Sequence, residues 1–429
     1  MSMTGVVAPD GLVAAAAERV APSGRVRGMG VFLVLLAFVA VLGFVSSVSS
    51  RAHATFLLSA PPAVGVSPLT MSVRWTAGAL AVLCAALGVL LVLRREQRGA
   101  YLIFGVGFAT FLWAFLVWAA RGAQLNFVQM LVTTLISTTP LVFGSLSGVM
   151  CERSGVINIA IEGQFLAGAF LGAMVGSVTG DLWLGMLAGA VAGGLFGWLL
   201  AFLALRYAVD QIIVGVVIVA FCTGLTNFLT EQVLTPDQTT LNSPQTFAPI
   251  AIPLLDKIPI LGPVLFDENV FVYLAAILLV VVNFGLFRTR WGLRVRAVGE
   301  HPRAAETVGI HVLSVRYRNV VLGGVIAGIG GASFTIGSVG EFSSEMTAGL
   351  GYVALAAMIF GRWKPFGALG ASLLFGFSVS LQSFLAVLNV GIPSPFLAMA
   401  PYVITIAVVS GLVGRVRPPA ADGAPYSRE

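Results

Sequence analysis

The sequence predicts an all-α polytopic membrane protein with about twelve transmembrane helices, and three observations carry that expectation. Only 10% of the 429 residues are charged, against about a quarter in a soluble domain. Mean hydropathy is +0.97, and apolar runs near the ~20 residues a helix needs to cross a bilayer recur along nearly the whole chain. Lys and Arg gather in alternate links between those runs, as an excess of basic residues on the cytoplasmic side requires.

The runs lie at 31–50, 75–93, 101–120, 127–149, 157–178, 182–205, 211–231, 270–287, 319–338, 348–361, 366–388 and 396–414. With the N-terminus inside, the inner links are "RREQR" (94–98), "CERSG" (151–155), "RYAVD" (206–210), 288–318, "RWK" (362–364) and a tail carrying Arg415 and Arg417. The link at 288–318 holds seven Arg and two Glu; the longest outer link, 232–269, holds four acidic residues, one Lys and six prolines. Every basic cluster therefore falls on one side, and both termini are expected to be cytoplasmic. Run 348–361 is short and reads as a partial span. The expected organisation is an N-terminal segment at 1–30, a three-helix extension at 31–126, a core at 127–417 and a tail at 418–429. Arg19, Arg25 and Arg27 before the first run, with "AHA" at 52–54 after it, imitate a secretory signal. The run is longer than the apolar stretch of about 7–15 residues such signals carry, so it reads as an uncleaved first helix.

Composition also excludes function classes. The net charge of +6 belongs to basic inner loops rather than to a nucleic-acid surface. Arg outnumbers Lys 22 to two, and with abundant Ala, Gly and Val this fits a GC-rich bacterial genome. Cys84, Cys151 and Cys222 sit in or beside apolar runs and read as free thiols, with no metal site. His53, His301 and His311 are scattered, so no catalytic arrangement is suggested. The dipeptide Gly-Lys never occurs, which removes the phosphate loop G-x-x-x-x-G-K-[ST]; if ATP drives this chain, another subunit supplies it. Ion-coupled carriers place Asp, Glu or His inside their spans, and these spans are nearly free of them.

Glycine and a few polar residues mark the rest. Gly185, Gly189, Gly193 and Gly197 line one helix face, as do Gly168, Gly172 and Gly176 one helix earlier. Such faces let helix backbones approach closely, or let them slide. "CERSGVINIAIEGQF" (151–165) concentrates Glu152, Arg153, Asn158, Glu162 and Gln164. For a helix starting near 156, Asn158 and Glu162 share a face, Arg153 can pair with Glu162, and Ser154 can serve as N-cap. The alternative to this capping role is a pore or gate element. In "EHPRAAETVGI", Pro302 suits the first helical position and Gly309 a left-handed C-terminal cap. The implied helix has about two turns, too short to stand alone in water. It must pack on its own bundle or on a cytoplasmic partner.

Three stretches resemble the permease subunits of bacterial nucleoside ABC importers, within the group that holds ribose and branched-chain amino acid permeases. They are "ERSGVINIAIEGQFLAGAF", "RTRWGLRVRAVGEHPRAAETVGI" and "AGLGYVALAAMIFGRWKPFGALGASLLFG". The resemblance runs from about 127 to 417 and implies a type II ABC importer-like permease core that binds no cofactor itself. It also implies ATP and Mg on a cytoplasmic ABC ATPase subunit, a second permease subunit, an external substrate-binding lipoprotein and residence in the bacterial plasma membrane. Glu300, His301, Pro302, Arg303, Ala304, Ala305, Glu306, Thr307 and Gly309 would then form the helix that docks on the ATPase. The family usually has Asn at His301, often a polar Asn at Val219 and often Arg at Leu350; Asn158, Glu162, Gln164, Val219 and Leu350 are the candidates for the path or its gate. A sugar or branched-chain amino acid permease is the neighbouring reading. A carrier or channel independent of ATP is a different class, as is a structural anchor.

Overall fold

The computed structural model describes residues 22–58, 67–94, 99–388, 396, 399 and 417–426. It divides into a unit formed mainly by residues 1–127 and a larger one formed mainly by residues 128–384 together with 415–429.

In the first unit, α1 (Pro22–Ala40), α2 (Val73–Leu93) and α3 (Ala100–Ala119) pack together. Leu33, Cys84, Leu91 and Phe104 fill the space among them. A methyl on Gly30 would lie 2.6 Å from the Gly88 carbonyl oxygen, so α1 and α2 cross backbone to backbone. The unit also holds a small sheet that the all-helical expectation did not include. Its order is β2-β1-β3, with β1 at His53–Leu57, β2 at Leu69–Ser72 and β3 at Gln124–Asn126. β1 pairs antiparallel with β2 and parallel with β3. Strands of three to five residues are too short to impose a readable alternation.

The larger unit contains α4 (Phe127–Glu152), α5 (Ile161–Thr179), α6 (Leu182–Ala201), α7 (Gln211–Leu229) and α8 (Val270–Arg288). These are followed by α9 (Arg290–Glu300), α10 (Pro302–Thr307), α11 (Val312–Phe334), α12 (Leu350–Phe360) and α13 (Pro365–Leu388). π-helical turns extend α6 to Arg206 and α11 to Val339. Between α7 and α8, β4 (Ile250–Ala251) pairs with β5 (Asp267–Glu268).

Ten helices among the described residues are long and apolar enough to cross a membrane. The chain is therefore a multi-pass membrane protein. They account for ten of the twelve expected runs. The run at 348–361 becomes α12, whose 11 residues span about 16 Å, half of a ~30 Å hydrocarbon core. The last run, 396–414, lies outside the described residues except for Phe396 and Met399. Two boundaries moved for a physical reason. Residues with charge interrupt hydropathy but not a helix, so α11 starts at Val312 rather than 319, taking Arg316 and Arg318 inside. α5 starts at Ile161, not near 156, and the Ile157 N–H in the link before it donates to Gln211 Oε1 at 2.8 Å.

The glycine faces pack α5, α6 and α11 together. A methyl on Gly193 would stand 2.2 Å from the Gly324 oxygen and 2.5 Å from Gly328 Cα. One on Gly168 would stand 2.3 Å from the Gly328 oxygen, and one on Gly185 2.7 Å from the Gly172 oxygen. Contacts this close are backbone on backbone, so dispersion and weak Cα–H···O contacts hold the helices where lipid removes the hydrophobic drive. The rest of the core is conventional, with Phe143, Leu146, Phe271, Leu279 and Met358 buried among α4, α8 and α12.

Replacing Gly193 by Val should force α6 from α11, an overpacking cost of about 1–3 kcal/mol, and lower the apparent Tm of the detergent-purified protein. Gly224, where an added methyl would have nothing within 4 Å, is the control; Gly224→Val should leave the Tm in place.

Candidate functional site

Two regions of the larger unit concentrate the polar chemistry of its otherwise apolar helices. The first surrounds Glu162, in the opening turn of α5 and only 6% exposed. Its carboxylate accepts three hydrogen bonds. The Thr347 hydroxyl donates to Oε1 at 2.6 Å, the Gly349 N–H to Oε1 at 2.9 Å and the Gly351 N–H to Oε2 at 2.6 Å. The last two are orphan donors at the start of α12, so Glu162 caps a half-length helix inside the protein. A buried anion at a helix N-terminus is favoured by the dipole and by the aimed N–H groups. Gly351 is required there, because a methyl would lie 2.6 Å from Glu162 Cα.

This geometry corrects three expectations. Arg153 does not pair with Glu162: its Nε donates to the Trp363 carbonyl at 3.0 Å and its Nη2 to that of Arg362 at 3.4 Å. Burial holds the Arg153 guanidinium below its usual range, with nearby Glu300 opposing that shift and Arg296 adding to it. Ser154 is not an N-cap; its hydroxyl donates to the Cys151 carbonyl at 2.7 Å, in the turn that ends α4. Asn158 does not share a helix face with Glu162, since it lies in the link before α5. Its Nδ2 donates to Ser147 Oγ at 3.2 Å and to Gln164 Oε1 at 3.1 Å, all three residues fully buried.

Val219, 9% exposed, packs α7 against α5: a methyl on Gly163 would lie 3.1 Å from its Cα. Leu350 opens α12 and lines a cavity of about 130 Å³ together with Ser137, Thr139, Pro140, Ser333 and Ser338. Pro140 sits within α4, and Ser338 in the π-turn that extends α11. Irregular helical backbone within a span is tolerated where it faces protein or a water-filled cavity.

The second region is the end of the unit that carries the basic links. Residues 288–318, expected as one loop, are mostly helical: α9, then α10. Pro302 stands in the first turn of α10, and His301 at its N-cap position makes no side-chain cap bond. Gly309 has φ +84°. Its N–H donates to the Glu306 carbonyl at 2.9 Å, and that of Ile310 to Ala305 at 3.1 Å. These two bonds are the paired closure of a glycine-terminated helix. Ala305 is buried, while His301, Arg303, Ala304, Thr307 and Val308 are exposed, Val308 by 74%.

The acidic residues of this end face a segment that hydropathy did not single out, residues 417–426. The Ala420 N–H donates to Glu300 Oε2 at 3.3 Å, and the Ala421 N–H to the Gly299 carbonyl at 2.9 Å. The Tyr426 hydroxyl donates to Glu306 Oε2. Arg316, fully buried in the second turn of α11, donates from Nη1 to the Ala424 carbonyl at 3.0 Å and from Nη2 to that of Ala421 at 3.5 Å. Asp422 lies against Glu152 and Arg316. Burial pushes its carboxyl up to about 6, opposed by a hydrogen bond with Glu152, by Arg316 and by the Gly423 N–H. Among the described residues no group of three or more His, Cys, Asp or Glu could hold a metal ion, and the three cysteines are buried free thiols.

A family model described as "Branched-chain amino acid transport system / permease component" matches residues 130–414. The chain is 39% identical over 302 residues to the guanosine ABC transporter permease protein NupQ of Bacillus subtilis, covering 68% of this chain and 94% of that protein. It is 39% identical over 317 residues to the nucleoside ABC transporter permease protein NupC of Lactococcus lactis, covering 70% and 98%. The putative glucose ABC transporter permease protein TsgC13 of Haloferax volcanii is 32% identical over 253 residues, covering 59% and 76%. No solved structure matches the chain.

Removing the carboxylate of Glu162 should strand three buried donors. Glu162→Ala is expected to cost about 3 kcal/mol or more and to lower the apparent Tm by several degrees, with Glu162→Gln intermediate because its amide oxygen still accepts. An unchanged Tm for Glu162→Ala would contradict the capping role.

Proposed function

Because the chain belongs to the family of branched-chain amino acid transport system permease components, we propose that it is the membrane-spanning permease subunit of an ATP-driven nucleoside importer. The nucleoside assignment rests on the activities for which NupQ and NupC are named, each 39% identical to this chain over nearly their whole length. In this reading an external lipoprotein delivers the substrate, a second permease subunit completes the pore, and hydrolysis of Mg-ATP occurs on a cytoplasmic ATPase subunit. The membrane is the bacterial plasma membrane, with both termini cytoplasmic. This places α9, α10 and residues 417–426 in the cytoplasm.

The observation that carries the reading is α10. It is a six-residue helix that starts at Pro302 and is closed at its C-terminal end by Gly309, lying outside the membrane spans, and Arg303, Ala304, Thr307 and the following Val308 are exposed. A helix so short is not stable alone, and an exposed apolar residue beside an exposed guanidinium suits a protein groove. Docked on the ATPase, α10 is the coupling helix: closure of the ATPase moves it, and α9 and α11 on either side carry the movement into the bundle. Only a difference in ATP affinity between outward-open and inward-open states can drive that change.

Within the bundle, the cavity lined by Ser137, Thr139, Ser333, Ser338 and Leu350 is the proposed part of the path. Hydroxyls there can exchange hydrogen bonds with a passing sugar ring without holding it tightly. Glu162 acts on this region through α12, whose first residue is Leu350. TsgC13 supports glucose as the second reading.

Two outcomes test the proposal. In proteoliposomes holding the complete complex, uptake of labelled guanosine should stop with vanadate and survive a protonophore; the opposite pattern would indicate a secondary carrier, and uptake competed by glucose but not by nucleosides would favour the sugar reading. Arg303→Ala should reduce ATP-driven uptake about tenfold, the size of a lost charge-assisted contact, while the protein still reaches the membrane. Full uptake by that variant, with full retention of the ATPase on purification, would sink the docking role.

A further inference from the structure

We propose that residues 417–426 form a strap that positions the coupling helix α10 on the transmembrane bundle, so that movement of α10 is transmitted to α11 rather than lost. The inference rests on the coupling role of α10 set out above and adds to it the part that makes α10 rigid.

The first ground is the reach of the segment. It bonds to α9 through Gly299 and Glu300, to α10 through Glu306 and to α11 through Arg316. It also lies on the end of α4, where Asp422 meets Glu152, and on the link before α5, where Gly423 packs on Ile157. Ten residues thus touch five parts of the fold at its basic end. Direct links between α10 and the bundle are few by comparison. α10 is one and a half turns long, and only Ala305 of its residues is buried, with Val298 and Val312.

The second ground is Arg316. A guanidinium with no exposed surface is costly unless its donors are paired. Its two terminal nitrogens donate to the carbonyls of Ala421 and Ala424 while Nε has no hydrogen-bond partner, with Asp422 as the nearby carboxyl and the Tyr426 ring 5.9 Å from its carbon centre. The fold makes room for this arrangement: a methyl on Gly155, at φ +87°, would lie 2.8 Å from Arg316 Nη2 and 3.0 Å from the Ala421 oxygen. A buried cation whose hydrogen-bond acceptors belong to the strap ties the strap to α11, and Tyr426 ties it to α10 through Glu306. Both ends of the mechanical link therefore lie within one short segment, from Ala421 to Tyr426.

The experiment compares the unmodified complex with two variants in proteoliposomes: Tyr426→Phe, which removes one hydroxyl and keeps the ring, and a chain ended after Val416. The readout is guanosine imported per ATP hydrolysed, alongside each rate. The strap predicts that this ratio falls about tenfold in Tyr426→Phe, as expected for one lost hydrogen bond to a carboxylate, and at least as far in the shortened chain. ATPase retention and ATP hydrolysis should persist. Glu306→Gln, which keeps an acceptor for the Tyr426 hydroxyl, should restore most of the ratio that Glu306→Ala loses. An unchanged ratio in Tyr426→Phe and in the shortened chain would overturn the strap, as would a fall in both rates in step with protein abundance, which marks simple structural support. Should the unmodified complex show no ATP-dependent uptake, the coupling reading itself fails, and that result is visible before any variant is compared.

Discussion

The backbone contact among α5, α6 and α11 is the constraint on which the larger unit depends. In lipid, burying apolar side chains gains nothing, so helices must find one another by fit. Gly168, Gly189, Gly193, Gly324 and Gly328 provide that fit by removing side chains where carbonyl oxygens and Cα atoms meet. Two consequences follow along the same helices. At one end of α5 the seam fixes Glu162, whose carboxylate then organises the start of α12. At the start of α11 it fixes Arg316, which holds the C-terminal segment and, through it, α10. A single packing solution thus sets both the half-helix beside the cavity and the exposed helix at the basic end.

Much of this was legible in the sequence, and the limits have physical causes. The ten long spans follow from apolar runs, because a bilayer permits little else. α10 was legible from Pro302 and Gly309 alone, since its end bonds are local and need those residues. The partner of Glu162 was not legible. Arg153 is the nearest opposite charge in sequence, yet the carboxylate is satisfied by N–H groups of Gly349 and Gly351, 187 and 189 residues away. Backbone donors carry no sequence signature, so an anion served by a helix start looks unpaired until the fold is known. The strap was hidden for a related reason. Ala421 and Ala424 contribute carbonyls rather than side chains, and "PPAADGAPY" reads as an unremarkable tail.

Hydropathy misled at Arg316 as well. It marked 288–318 as one polar loop, but a charged residue can lie inside a helix when carbonyls meet it, and α11 begins before it. His301 behaves as its chemistry suggests: it stands at the N-cap position of α10 without capping it. The start of α10 therefore relies on Pro302, and its fixation on Glu306 and Tyr426. This lends the basic end a division of labour. Ala305 and Glu306 of α10 are held by their own chain, while Ala304, Thr307 and the following Val308 are exposed.

Docking of the exposed face of α10 on the ATPase, as proposed above, has a direct test. Cys84, Cys151 and Cys222 are buried, so a cysteine placed at Val308, 74% exposed, offers an accessible thiol at the right place. A short thiol-to-amine cross-linker applied to membranes holding the complete complex measures the contact directly. Docking predicts a cross-link from Val308→Cys to the ATPase subunit whose yield changes between the nucleotide-free and vanadate-trapped states. No cross-link to the ATPase in either state, from a variant that still imports guanosine, would contradict it.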